Sequence, residues 1–401
     1  MIEQAAPKPS GFFGESWRAW IALGVGVLAV SAHSALAYGM SPLLKPITDD
    51  LGWSRSTYAT VMNLRLAILM LVVPFAGRLV DLTGARNVLG IGALLMALGA
   101  LLIANMQTVS GFVASGLAIG PGQAAVGSVT GSALVLREFQ RRKGLAIGIL
   151  NGGDNLITGG VHVLSAYLLL EMGWRGAVGG LALGYLALAL LVFLVLRREE
   201  GKGAPAEQAE DRGIPWGDAR LWWLLAAYVI LYGYVTTIGI HFPAFQRDLG
   251  RTADTAAWIY GWSTVVGAAG SVLIGYVSER ITARATLRMV VLGLAASSVL
   301  LWFPVSTTSY AVWAAGYGVV NAGAVALLAL VLAEMFGQVG FGRLMGFAIS
   351  VCMGATIVGN YFAAAVFDHL GSYVPVWQSY TVLLLIAFVP VHILVRKPAS
   401  R

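Results

Sequence analysis

Four ionisable side chains, Arg65, Asp154, His33 and His241, stand among residues that are almost all apolar. An ionisable group in the middle of a bilayer costs roughly 2.5–3.5 kcal/mol on insertion scales, so each is a candidate for binding or relaying something. Arg65 lies 13 residues before Arg78, about 20 Å along a helix at 1.5 Å per residue. Asp154 follows Lys143 by 11 residues, about 16 Å by the same rise. Both are too deep to reach the interface easily. A guanidinium offers a carboxylate two parallel hydrogen bonds, so Arg65 reads as the anchor for a carboxylate. The competing reading is a cation that only ties helices together. Asp154 is of the type that takes up and releases protons in carriers, or else a buried acid bonded to Asn151 or Asn155. His33 is the alternative proton carrier, and His241 a substrate contact.

The elements that must position these groups are membrane helices. With 58% hydrophobic and 11% charged residues and a mean hydropathy of +0.78, the chain has too little polar surface to cover a soluble particle of 401 residues. Windows of about 20 apolar residues predict twelve spans at 19–41, 56–79, 87–107, 111–136, 144–170, 176–196, 220–244, 255–278, 286–305, 309–335, 344–367 and 374–395. Residues 197–219, rich in charge, Gly and Pro, read as a linker between two six-helix bundles, 19–196 and 220–395, with tails at 1–18 and 396–401. The first span lacks a small-residue cleavage site and reads as a retained helix. Lys45, Arg55, Arg175, Arg247 and Arg251 occupy one set of loops, Arg65 a span, and the rest of the 26 Lys and Arg the other set and the tails. By the positive-inside rule both termini are expected in the cytoplasm, of a bacterial inner membrane. The net charge of +7 is then topology and no sign of nucleic-acid binding.

Polar residues on several spans fall on helical stripes: Ser31, Ser34, Tyr38 and Ser41 on span one, and Tyr234, Thr237 and His241 on span seven. Span four presents Gln123, Ser128 and Ser132. Trp313, Tyr317 and Asn321 follow on span ten, with Cys352, Thr356 and Asn360 on span eleven. One such stripe is interhelical glue as readily as a lining; together they predict an aqueous cavity in which Tyr38, Tyr234, His241, Asn321, Asn360 and Gln123 assist Arg65. No Walker phosphate loop, metal-ligand cluster or hydrolytic triad is present. Neither ATP coupling nor an enzyme is expected, and no metal or cofactor. The lone Cys352 excludes a disulfide framework.

The chain is internally duplicated. Leu51, Gly52, Gly77, Asp81 and Arg86 recur 198 positions later as Leu249, Gly250, Gly275, Glu279 and Arg284. Gly152 and Gly354, at an offset of 202, read as a further equivalent pair. Two similar membrane halves create a central site opened to either side by rocking. The stretch from Gly77 to Arg86 resembles the loop signature of the major facilitator superfamily, and Gly275 to Arg284 its degenerate second copy. Leu51 to Ser56, Arg141 to Ala146 and Gly173-Trp174-Arg175 look like bacterial relatives of the monocarboxylate transporters and oxalate:formate antiporters. Glu15 to Trp20 matches the signature before span one of monocarboxylate carriers only loosely.

That resemblance implies a twelve-helix monomeric carrier of a small organic anion by proton symport or anion exchange. It also implies a substrate-binding Arg in span eight, where this chain has Trp258, Tyr260, Trp262, Ser263 and Thr264. Arg65 is the repeat mate of Ser263, so the cation is expected at the mirror position. It further implies a cytoplasmic gate in which Asp81 accepts hydrogen bonds from Arg86 and from a neighbouring helix N-terminus. Arg78 and Glu138 join that gate, and Glu279 and Arg284 form its second copy. The alternatives are an exporter of lipophilic or cationic compounds stacked on Trp258, Trp262, Trp313 and Tyr317, and a non-transporting membrane sensor.

Overall fold

The computed structural model describes residues 14–40, 43–197, 213–303 and 305–396. Helices account for nearly all of them. In chain order they are α1 (Trp17–Gly39), α2 (Leu44–Leu51), α3 (Arg55–Thr83), α4 (Ala85–Asn105), α5 (Val109–Val126), α6 (Ser128–Glu138) and α7 (Lys143–Val195) in the first half. The second half holds α8 (Ala219–Asp248), α9 (Ala253–Arg280), α10 (Ala283–Val299), α11 (Thr307–Phe336), α12 (Phe341–Leu370) and α13 (Val374–Arg396). Among the described residues, eleven stretches are long and apolar enough to cross a membrane. The first part of α7, which carries Asp154, completes twelve.

Local chemistry sets the boundaries. Ser54, Thr108, Asp218, Thr252, Thr282 and Ser306 each cap a helix start by accepting a backbone N–H, which satisfies donors that have no intrahelical partner. α7 is two spans merged across Gly173, whose φ of 68° lies in the left-handed region that only glycine enters cheaply. Span four is likewise two pieces, α5 and α6, meeting at Gly127. The hydropathy windows end span two at 79 and span seven at 244, whereas the helices continue to Thr83 and Asp248. The additional turns carry Asp81, Arg247 and Asp248, which an apolar window leaves out. The short α2, between spans one and two, is an addition to the expected elements.

The two halves meet along spans two and eleven (α3 and α12) and along spans five and eight (α7 and α9). Glu15 bonds the loop between spans four and five, and Arg284, at the start of span nine, bonds the carbonyl of Leu394 near the end of span twelve. Both ends of the described chain therefore lie on one face, called the linker face below; the opposite face is the distal face.

Candidate functional site

Gln123 is the hub of a polar network in the first half. α5 stops at Val126, which leaves the carbonyls of its last turn without helical donors. His33 Nδ1 donates to the Gln123 carbonyl at 3.0 Å, and Gln123 Nε2 returns a bond to the His33 carbonyl at 2.9 Å. A Cβ at Gly127 would stand 3.3 Å from His33 Nδ1, so the glycine that breaks the helix also makes room for the imidazole. The Gln123 side-chain oxygen accepts from Arg65 Nη1. Spans one, two and four are thereby clasped by one amide.

Arg65 is 8% exposed, and its Nε is buried without a hydrogen-bond partner. Among the described residues its bonded partner is the neutral Gln123, and no carboxylate pairs with it. Tyr58 and Tyr185 lie close enough to interact with its charge, each with its hydroxyl turned to a carbonyl, Met40 at 2.8 Å and Ala32 at 3.5 Å. A buried cation facing only neutral dipoles carries a charge that nothing beside it offsets.

Asp154 occupies the next turn of the same network. Ser34, adjacent to His33, donates to Asp154 Oδ2 at 3.1 Å, and Thr158 donates to Oδ1 at 3.0 Å. Hydroxyls hold it, and not the amide of Asn151 that the purely structural reading offered; Asn151 bonds the Ile147 carbonyl. Asp154 is half-buried, and no cation pairs with it among the described residues.

Several expected cavity residues lie elsewhere. Tyr234 is completely buried inside the second half, against Tyr317 and Tyr380, with its hydroxyl 3.4 Å from Ser297. Its stripe faces the bundle interior and does not line the vestibule. Trp313 and Tyr317 stack on each other at 5.0 Å, with Phe242 over Trp313 at 4.5 Å, and are core residues with no face free for a flat substrate. Gln123 is buried as the partner of Arg65 and not an open lining residue. His241 sits towards the distal end of span seven, bonded to the Tyr373 hydroxyl at 3.1 Å. Asn321 and Asn360 are half-buried, and each has a side-chain oxygen buried without a partner. The side chain of Tyr38 lies outside the described residues.

The residues expected to form a gate on the linker face make a symmetric pair of helix caps. Asp81 accepts from the backbone N–H of Gly342 at 3.1 Å and of Arg343 at 3.0 Å, at the start of span eleven. Glu279 accepts from the N–H of Leu145 at 2.8 Å, at the start of span five. Carboxylates favour helix N-termini because unpaired N–H groups and the helix dipole converge there. Arg137 binds Asp81 and Arg142 binds Glu279, each at 3.2 Å. These are the basic partners; Arg86 and Arg284 are not. Arg86 donates to the Phe193 carbonyl at 2.8 Å, and Arg284 pairs with Glu334 at 2.7 Å, each bracing its own half. Arg78 and Glu138 are exposed. Glu15, which sequence reasoning left without a role, is 3% exposed and accepts from the N–H groups of Arg141 at 2.5 Å and Arg142 at 2.8 Å. It fixes the loop whose Arg142 reaches Glu279.

The seams keep the repeat in register. Gly77 abuts Gly342 backbone to backbone, and Gly144 abuts Gly275 in the same way. Gly346 packs on Val73 and Pro74, its counterpart Gly148 on Ser271 and Val272. Ser350 bonds the Met70 carbonyl at 3.1 Å, and Gly152 packs on Ala268. All of these pairs are related by 198 positions, so the mate of Gly152 is Ser350 and not Gly354. Distal to this zone Gly160 meets open space, and Trp258 and Trp262 are 58% and 41% exposed.

The Major Facilitator Superfamily model matches residues 26–341 and again 224–401. Human monocarboxylate transporter 14 is 34% identical over 173 residues, 42% of this chain and 33% of that protein, so the chain spans about a third of that relative's length. The uncharacterized transporter YycB of Bacillus subtilis is 23% identical over 381 residues, 92% of this chain and 91% of that one. A solved structure of a bacterial homologue of the iron transporter ferroportin, in an outward-facing state with soaked iron, matches with a TM-score of 0.74 at 15% identity, over 94% of this chain and 99% of that chain. At that identity the likeness is one of fold.

Proposed function

The chain belongs to the major facilitator superfamily of multi-pass secondary transporters, and on that premise we propose that it carries a small organic anion, a monocarboxylate, by proton symport or anion exchange. The observation that carries this reading is the Arg65 guanidinium, buried with an amide as its bonded partner and an Nε left over. A carboxylate entering from the vestibule takes the place of the Gln123 oxygen and gains charge-assisted hydrogen bonds, about twice as strong as neutral ones. The orphan oxygens of Asn321 and Asn360 accept from hydroxyls on the substrate, as a hydroxy acid would supply. The similarity to monocarboxylate transporter 14 supports the same substrate class.

In symport, Asp154 takes the proton. Its two hydroxyl partners stabilise the charged form in the empty carrier, and protonation releases them. Ser34 follows His33 directly, so the acid and the anion seat pull on the same turn of span one. Rocking of the halves about this level moves the site from one face to the other. The seams described above are closed on the linker face, which we read as cytoplasmic, so this is the state open to the outside. The monomer suffices, because one chain holds both halves.

The test is uptake of labelled lactate and pyruvate by proteoliposomes containing wild type or Arg65→Ala. Uptake that survives the substitution undiminished removes Arg65 and the anion from the mechanism. The exposed Trp258 and Trp262 favour a second reading, export of lipophilic cations. In that case Arg65→Ala leaves transport of such compounds intact, and Trp262→Ala diminishes it.

A further inference from the structure

A crevice of about 540 Å³ opens between spans five and eight near the linker face, within the roughly 300–1,000 Å³ that small-molecule sites occupy. Its walls come from opposite halves of the molecule. Arg142 and Leu145 form one side, and Ala269, Val272, Leu273 and Tyr276 the other. The lining is apolar along its length and basic at one end. The second wall is one helical face of span eight, with Leu273 53% and Tyr276 38% exposed. One turn further along that face is Arg280, its guanidinium 5.1 Å from the Tyr276 ring centroid and bonded to the Tyr276 hydroxyl at 2.5 Å. Arg280 is exposed, and Arg141 and Lys143 flank Arg142 in sequence.

We propose that this crevice holds an anionic phospholipid from the leaflet on the linker side, its acyl chain along Leu145, Val272 and Leu273 and its phosphate between Arg142 and Arg280. Basic pockets between membrane helices capture anionic headgroups in this way. A soluble anion gains nothing from the apolar length, and a neutral lipid gains nothing from the basic rim. Arg142 spends one nitrogen on Glu279, and a guanidinium has further donors to offer a phosphate. Because the two walls belong to opposite halves, the lipid fits the closed seam and loses one wall when the halves separate. It therefore stabilises the state closed on the linker face, as any ligand with differential affinity must.

The test uses the full chain in phosphatidylcholine nanodiscs with and without phosphatidylglycerol, read by lipid retained in native mass spectrometry and by the melting temperature. Wild type retains phosphatidylglycerol and melts higher in its presence. Arg280→Gln weakens retention about fivefold, the worth of one basic contact at a membrane surface. Ala269→Phe, which fills the crevice without touching the Arg142 and Glu279 pair, abolishes it. Leu273→Trp, at an exposed position of the same wall, provides the same block should Ala269→Phe fail to fold in phosphatidylcholine alone. Equal retention of the two lipids by wild type, or undiminished phosphatidylglycerol on the filled variants, overturns the proposal. Neither result bears on Arg65, so the transport reading stands or falls separately.

Discussion

The two halves of this molecule share their seams and differ in what stands beside them. Gly77 with Gly342 and Gly275 with Gly144 make the same backbone contact, and Asp81 and Glu279 cap the same helix ends. At the level of the site the repeat has lost its likeness. The first half holds Arg65, His33, Gln123 and Asp154 in one polar chain. At the corresponding positions the second half has Ser263, Leu231, Asn321 and Cys352, and its distal part is filled by the Phe242, Trp313 and Tyr317 stack. Duplication thus kept the helix caps twice and left Arg65 and Asp154 once.

The largest effect is expected where the halves are most alike. Gly77→Val and Gly275→Val each drive a side chain into backbone across a seam, where no rotamer gives relief. Both are expected to abolish uptake and to leave the linker face open. A fully active Gly275→Val would show that the two seams are not equivalent. Where the halves differ most, Arg65→Ala is expected to lower uptake by roughly 10–150-fold, the loss of one charge-assisted bond of about 1.5–3 kcal/mol. Ser263→Ala, its mirror, is expected to change uptake by less than about twofold, since the Ser263 hydroxyl merely bonds the Tyr260 carbonyl in its own helix. Equal losses at the two positions would erase the proposed asymmetry.

What the sequence revealed follows the same division. Twelve spans and the 198-residue repeat were legible because hydropathy and glycine spacing are local properties. Arg65 and Asp154 were legible because a charge in lipid is costly wherever it points. Partners were not. Asp81 was assigned Arg86, five residues away in sequence, but the helix that turns a cation towards it is span four, through Arg137. Tyr234 was placed in a vestibule because a polar stripe marks one face of a helix without saying whether that face meets the cavity or the bundle core. Gln123 offered a usable signal: it lies between Pro121 and Gly127, where a helix in lipid is about to break and leave carbonyls that a nearby donor must satisfy.

The two caps provide a finer measure of equivalence. Asp81→Asn and Glu279→Gln each remove a charge from a helix N-terminus and an arginine pair, worth about 1 kcal/mol in a partly exposed setting. In a Cys352→Ala background, a cysteine at Ser350 reports the opening of the seam, because Ser350 is bonded across it. Each substitution is expected to raise the maleimide labelling rate about fivefold, and the pair about 25-fold if the caps act independently. A double variant no faster than either single one would mean that one cap alone holds the linker face shut.

The smallest effect is on the distal face, where the halves again part company. Asp50, on α2, accepts from Arg175 at 2.5 Å and from Trp174 at 3.2 Å. Around its repeat mate Asp248 the tryptophan and the arginine are replaced, since the equivalent positions after Gly371 are Ser372 and Tyr373. The hydrogen bond from Arg175, and after it the one from Trp174, hold the Asp50 carboxyl below its ordinary value of 3.8. A group whose value is lowered by folding contributes stability above the unfolded value and loses it as the pH falls through the folded one. Wild type is therefore expected to melt slightly above Asp50→Asn from pH 5 upwards, with the gap closing below about pH 4. Melting curves of the two proteins in the same lipid, taken across that range, decide it: parallel curves would mean that the exposed pair is too well solvated to matter, and that the first half is distinguished by its interior alone.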